Sequence, residues 1–266
     1  MGNHYIIKEE TLINIADNIR EKLGTEDSYS PDDMASGVNE VYEAGKEKEW
    51  SDFWEGYQWG GTRTNYTYAF YYWEGTEYIR PKYKVVPTST LYNMFAVCRN
   101  LKKIEAEYFD LSQANVTSAT NSTGLNNVFY ACRSLEEIED IGLKAGGYNM
   151  TFNGCNALRK IAKLRATEDC QFISVFTTCT SLADITFEGV IGQNISFSHS
   201  PLTVESMKGI ITHLKNYAGT DSEGTYTLTL KDTCKTALQD DTETVELDGV
   251  SYTYFELITA KGWNLA

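Results

Sequence analysis

Apolar residues return at every third position in four separate stretches of the chain. Phe95, Cys98, Leu101 and Ile104 make the first set, and Phe129, Cys132, Leu135 and Ile138 the second. Phe152, Cys155, Leu158 and Ile161 make the third, and Phe176, Cys179, Leu182 and Ile185 the fourth. A spacing of three matches neither the period of an α-helix nor that of a half-buried strand. It predicts short pieces in series: a helical or 3₁₀ turn carrying Phe and Cys, then a strand that begins near Leu and Ile. The last three sets start 23 and 24 residues apart. A unit that short cannot bury its own apolar side and must stack on its neighbours. These sixteen positions are therefore the expected structural core.

The flanks carry other patterns. Leu12, Ile15, Ala16, Ile19 and Leu23 follow helical spacing, and Gly24 suits the stop. Ser30, Pro31, Asp32 and Asp33 then read as a second helix start, with an apolar stripe from Met34 through Val38 and Val41. Asp32 and Asp33 are adjacent, so on a helix they face different directions and form no acid–base pair. Residues 1–58 are thus expected to be a helical attachment arm. Residues 59–90 form a bridge rich in rings and glycine, whose alternation predicts strands, with Pro81 and Pro87 at edges or turns. This bridge is expected to cap the stacked units. A sharper reading makes Tyr71, Tyr72 and Trp73 a binding surface for a sugar or peptide.

The repeats occupy 91–202. The step from Phe95 to Phe129 is 34 residues, with the excess in Ser112 to Asn127, an expected loop on one edge. A fading fifth unit keeps Phe197 and Leu202 and puts Ser200 where the others have Cys. Residues 203–266 are expected to form a small mixed cap. There Thr203 caps a helix carrying Met207, Ile210, Ile211 and Leu214, and Thr225 to Leu230 forms a strand. A short helix near Thr233 to Leu238 follows, and Asp248-Gly249 turns a hairpin. A last helix stops at Lys261-Gly262, with the lysine near the negative end of that helix.

Net charge adds a constraint on partners. The chain carries −14 overall. Residues 1–60 hold 14 acids and 5 bases, a balance of −9. Such a surface repels nucleic-acid phosphates and anionic membranes. No apolar run is long enough to span a bilayer, and the first twenty residues have no secretory h-region, so neither membrane insertion nor signal-peptide export is expected. Four of the six cysteines fall at the equivalent place in the four units, which predicts an inward column of reduced packing thiols. There is no CxxC pair and only three histidines. No metal, no cofactor and no catalytic residue is expected. Asn-x-Ser/Thr triplets at Asn65, Asn115, Asn121, Asn149 and Asn194 read as turn sequences.

The repeated Phe-x-x-Cys-x-x-Leu-x-x-Ile unit resembles the BspA-like class of bacterial leucine-rich repeats. The resemblance covers about 91–200 and implies an α+β fold: a short leucine-rich-repeat solenoid between the helical arm and the mixed α/β cap. The segments Ile19 to Gly24 and Ser30 to Ala35 are similar to an N-terminal module of tail-associated proteins from phages and prophages of Gram-positive bacteria. Ser200-Pro201-Leu202-Thr203 and Ala260-Lys261-Gly262-Trp263 resemble the closing unit of the same proteins. The resemblance implies a non-enzymatic tail-fibre or baseplate protein located in the virion. Its helices would attach to other tail proteins, and its repeat surface would contact a host-surface protein or glycan, as a single chain or a homo-oligomer. The alternatives are a bacterial surface adhesin of BspA type and, further off, a hydrolase of cell-wall polymer.

Overall fold

A computed structural model describes residues 66–73, 77–81, 84–114 and 125–266. The chain divides into two units, Met1–Gln58 and Trp59–Ala266, and every described residue belongs to the second. The expected helical arm at 1–58 and the tip of the 112–127 insertion lie outside the described residues.

The interior is organised by rings. Phe70, Phe95, Phe129, Phe152, Phe176 and Phe197 stack in one column, with successive centroids 5.0, 5.2, 5.7, 5.8 and 4.6 Å apart. The planes of the first five are within 6° of their neighbours. All sixteen repeat anchors are buried. Full burial of each large apolar side chain contributes about 1.5–3 kcal/mol, so this column and the flanking leucines and isoleucines dominate the core.

The turn before each ring is built the same way. One set of backbone N–H groups crosses to the next turn: Phe70 N–H donates to the Met94 carbonyl (2.7 Å), Phe95 to Val128 (2.9 Å), Phe129 to Thr151 (3.0 Å) and Phe152 to Val175 (3.2 Å). The alternate groups close four-residue turns, as where Cys98 N–H donates to the Phe95 carbonyl at 3.2 Å. This alternation requires a left-handed residue between Phe and Cys. Tyr72, Val97, Ala131, Gly154 and Thr178 fill that place with φ of 61°, 65°, 57°, 85° and 60°. Four residues earlier Tyr68, Asn93, Asn127, Met150 and Ser174 do the same. A non-glycine residue there costs about 1–2 kcal/mol, which the bonds to the adjoining turn offset at about 0.5–1.5 kcal/mol each.

Beyond the turns lie the strands. β1 (Lys103–Ile104), β2 (Glu137–Ile138), β4 (Lys160–Gln171) and β5 (Asp184–Gly189) run parallel, with Ile104, Ile138, Ile161 and Ile185 in register. β3 (Lys144–Gly147) pairs with the far end of β4 and completes a five-stranded sheet. A second, parallel sheet joins β6 (Ile195–Phe197), β7 (Thr227–Leu230) and β10 (Asn264–Leu265) in the order β10-β7-β6. β8 (Thr244–Leu247) and β9 (Val250–Thr253) form an antiparallel hairpin through Asp248 and Gly249, both at positive φ. The described residues also include three short helices: α1 (Val204–His213), α2 (Asp232–Asp240) and α3 (Tyr254–Ala260).

This architecture corrects the expected fold class. The regular structure of the described residues is mainly strand, distributed over several sheets with three short helices, rather than an α+β leucine-rich-repeat solenoid (BspA-like) with helical arm and mixed α/β cap. The physical causes are local. The Phe–Cys segments are turns held by inter-turn bonds, so they are not helical. The strands are unequal, two residues long in β1 and β2 and twelve in β4. The last ring, Phe197, belongs to a strand that leaves the five-stranded sheet for β7. Within the bridge, Tyr66 to Trp73 is turn rather than the predicted strand.

Gly189 ends β5 at φ +93°, where an added Cβ would lie 2.1 Å from the Ala166 carbonyl oxygen of β4. Gly189→Ala is therefore expected to destabilise by about 1–3 kcal/mol, read as a lower urea midpoint at an unchanged slope.

Candidate functional site

The first turn, Tyr66 to Trp73, decides which rings face water. Tyr66 and Phe70 point inward and are fully buried. Of the residues around them, the rings of Tyr68, Tyr71 and Tyr72 face water. Tyr68, Tyr71 and Tyr72 are 50%, 47% and 53% exposed. They touch one another and the next turn: Tyr68 packs edge-on against Tyr71 (5.3 Å, 86°) and against Tyr92 (5.7 Å, 89°), and Tyr71 lies 6.0 Å from Tyr72. The Arg99 guanidinium sits 5.4 Å from the centre of the Tyr72 ring. Edge-to-face pairs of this kind add about 0.5–1.5 kcal/mol, enough to hold exposed rings in one arrangement. Tyr68 and Tyr72 are also two of the left-handed residues, so the backbone fixes the direction in which their rings leave the turn.

Of the three residues predicted as a binding surface, Tyr71 and Tyr72 come together here. Trp73 does not join them. It is half-buried and leans toward Phe70 at 6.1 Å, because it occupies the place that Cys holds in the later units. Tyr68, Tyr92 and Arg99 were missed. The signal that would have found them is the frame Phe70-x-x-Trp73, which sets one more turn ahead of Phe95 and puts Tyr68 beside Tyr92.

The thiols have a different assignment. Cys98 Sγ donates to the Phe70 carbonyl at 2.9 Å, Cys132 to Phe95 at 3.0 Å, Cys155 to Phe129 at 3.0 Å and Cys179 to Phe152 at 3.1 Å. Each bond ties one turn to the turn before it. Ser200, in the fifth unit, keeps the donor and bonds the Cys179 carbonyl at 3.2 Å. Burial pushes the thiols of Cys132 and Cys155 far up and those of Cys170 and Cys179 to about 12. The nucleophile and the metal ligand are both the thiolate, so at neutral pH Cys132, Cys155, Cys170 and Cys179 stay protonated, and all six cysteines are free and buried. Among the described residues no group of three or more His, Cys, Asp or Glu is placed to hold a metal ion. The His213 Nδ1 lies 2.8 Å from the Gly209 carbonyl, and His199 Nδ1 lies 3.1 Å from the Ser198 hydroxyl.

The charged residues of the five-stranded sheet largely compensate one another. Register places Lys103, Glu137, Lys160 and Asp184 side by side, alternating in sign. Arg165 holds Asp140 through two bonds of 2.7 and 2.9 Å. That guanidinium pulls the Asp140 carboxyl down to about 2. Arg159 pairs with Glu136, and Lys103 with Glu139 at 2.6 Å. Paired surface charges of this kind contribute little net field toward a distant partner. The tyrosine edge, in contrast, presents apolar area and phenol hydroxyls in one place. The chain matches no protein-family model, no curated protein and no solved structure.

Proposed function

We propose that this chain is a non-catalytic binding component of a phage or prophage tail, attached to the particle through residues 1–58 and contacting a host-surface partner through its tyrosine edge. The contiguous exposed cluster of Tyr68, Tyr71 and Tyr72, with Tyr92 and Arg99 beside it, carries this reading. Tyr and Arg are the side chains that dominate binding energy where proteins meet. Tyrosine brings a large contact area with few rotatable bonds, and these four are already held by the backbone and by one another, so little ordering cost remains on association. The tail assignment is supported by the resemblance of the two ends of the sequence to tail-associated proteins. The paired charges of the sheet favour a role as rigid support.

Two measurements test it. Mass spectrometry of particles purified after induction of the source bacterium is expected to find the chain, and its absence from them would overturn the tail assignment. The purified full chain is expected to bind host cells, and Tyr71→Ala with Tyr72→Ala to weaken that binding by about a hundredfold, as hot-spot truncation does. Unchanged binding by that variant would remove the edge from the contact.

A further inference from the structure

A groove of about 370 Å³ opens between the turn at Phe172 and the second sheet, and we propose that it binds an uncharged oligosaccharide. It shares no residue with the tyrosine edge, and the argument for it stands apart from the tail assignment. Its size lies within the range of ligand sites, roughly 300–1,000 Å³.

One wall is strand β7. Alternation along that strand buries Leu228 and Leu230 and sends Thr227 and Thr229 to the groove, with Thr225 continuing the row. Hydroxyls two residues apart on a strand are separated by about 6.6–6.8 Å. The parallel register sets Ser196 of β6 directly beside Thr229, about 4.8 Å across the sheet. The result is a small grid of hydroxyls on a rigid backbone. Asn194 holds the edge of that grid in place, since its side-chain oxygen accepts from the Thr227 N–H at 2.7 Å.

The opposite wall is apolar. Ile173 is 60% exposed there. Phe172 forms the floor, fixed by stacking on Tyr148 at 5.9 Å and by an edge contact with Phe187 at 6.2 Å. Ser174 adds a hydroxyl on this side.

The chemistry of the lining selects the ligand class. None of the groove residues carries a charge, in a chain whose net charge is −14. A charged ligand would find no counter-ion and would lose its hydration without compensation. The hydroxyls of Thr225, Thr227, Thr229 and Ser174 serve no internal hydrogen bond and can each donate and accept. A sugar presents the complement: neutral hydroxyls that both donate and accept, and an apolar C–H face for Ile173. A peptide strand would instead pair along a free backbone edge, which this sheet offers at β6 and β10 and not on the hydroxyl-bearing face of β7.

Calorimetric titration of the full chain with chitotetraose, maltohexaose and mannohexaose, with polygalacturonate as the anionic comparison, tests the site. Saturable binding of at least one neutral oligomer is expected, without binding of polygalacturonate. Thr227→Val with Thr229→Val keeps the β-branched shape and removes two hydroxyls, and it should weaken that binding about tenfold or more at an unchanged melting temperature. Ser174→Ala, outside the strand, should weaken it several-fold and serves if the double variant does not fold. Tyr71→Ala with Tyr72→Ala should bind as the parent does. Failure of every neutral oligomer to bind, preference for the anionic polymer, or equal binding by the threonine and serine variants would each overturn the assignment.

Discussion

Phe129→Ala is expected to lower stability by about 3–5 kcal/mol, the largest effect of any single ring. Phe129 sits mid-column, 5.2 Å from Phe95 and 5.7 Å from Phe152. Truncation removes the transfer energy of the ring and both stacking contacts. The cavity cannot close by sliding the neighbours together, because the spacing of the turns is fixed from outside the column. Phe129 N–H bonds the Thr151 carbonyl at 3.0 Å, Phe95 N–H bonds the Val128 carbonyl at 2.9 Å, and Cys155 Sγ bonds the carbonyl of residue 129 itself at 3.0 Å. A site that cannot collapse keeps its void, which puts the cost at the upper end of the range for large-to-small changes. Urea unfolding of the full chain, compared with Tyr71→Ala as an exposed-ring control, measures it. A loss below about 1 kcal/mol, the level of an ordinary surface change, would mean that the rings do not share one packed interior.

The column was legible in the sequence because one environment repeats. Each anchor meets the same neighbours one turn above and one below, so the same residue type is chosen each time. The path of the backbone was not legible in the same way. Nothing about Val97, Ala131 or Thr178 advertises a left-handed conformation; only Gly154, at the same place, is a residue that favours it. Without the left-handed residues a period of three predicts a helical or 3₁₀ turn, and a solenoid of such units between helical ends follows from it. The earliest turn escaped notice because Trp73 replaces the marker cysteine. The cysteines were read as small hydrophobes, and their second role, donating to the Phe carbonyl of the preceding turn, depends on a contact between units that no single unit displays. The tyrosine edge was half visible for the same reason: Tyr71 and Tyr72 are neighbours in sequence, whereas Tyr92 and Arg99 reach them only through the stack. Parallel pairing of β7 with β6 and β10 joins segments more than thirty residues apart, beyond any local pattern. Local patterns did mark the Asp248-Gly249 turn and the Thr203 cap, whose hydroxyl accepts from the Ser206 N–H at 3.2 Å, since these need only adjacent residues.

Lys261→Met is expected to cost about 3–5 kcal/mol, taking roughly 1.5 for each charge-assisted bond. From its place in the sequence Lys261 reads as a favourable charge at the end of its own helix. In the fold it crosses to another one. Its Nζ donates to the carbonyls of Ile211, Thr212 and Leu214 at 3.0, 2.8 and 2.9 Å, at the negative end of α1, where the Ile211 carbonyl also accepts from the Leu214 N–H at 3.2 Å. The residue is buried, and Trp263 beside it ties the same segment to the Lys215 carbonyl at 2.8 Å. Methionine keeps the aliphatic stem and removes all three bonds, leaving the Thr212 and Leu214 carbonyls without this donor while Ile211 keeps only the Leu214 N–H. Acidity gives an independent readout. Burial lowers the ammonium from its ordinary 10.5 to about 8. Below pH 8 the lysine is charged both folded and unfolded, and the desolvation cost is borne in full. Between about 8 and 10.5 the unfolded chain binds more protons than the folded one, so stability gains from a rise in pH. The variant has no such group. Urea midpoints at pH 7 and pH 9.5 should therefore show the parent ahead at the first and further ahead at the second. Equal midpoints at both would mean that α1 ends without help from Lys261, and a gap that narrows at the higher pH would mean that the three carbonyls outweigh burial in setting the charge of this lysine.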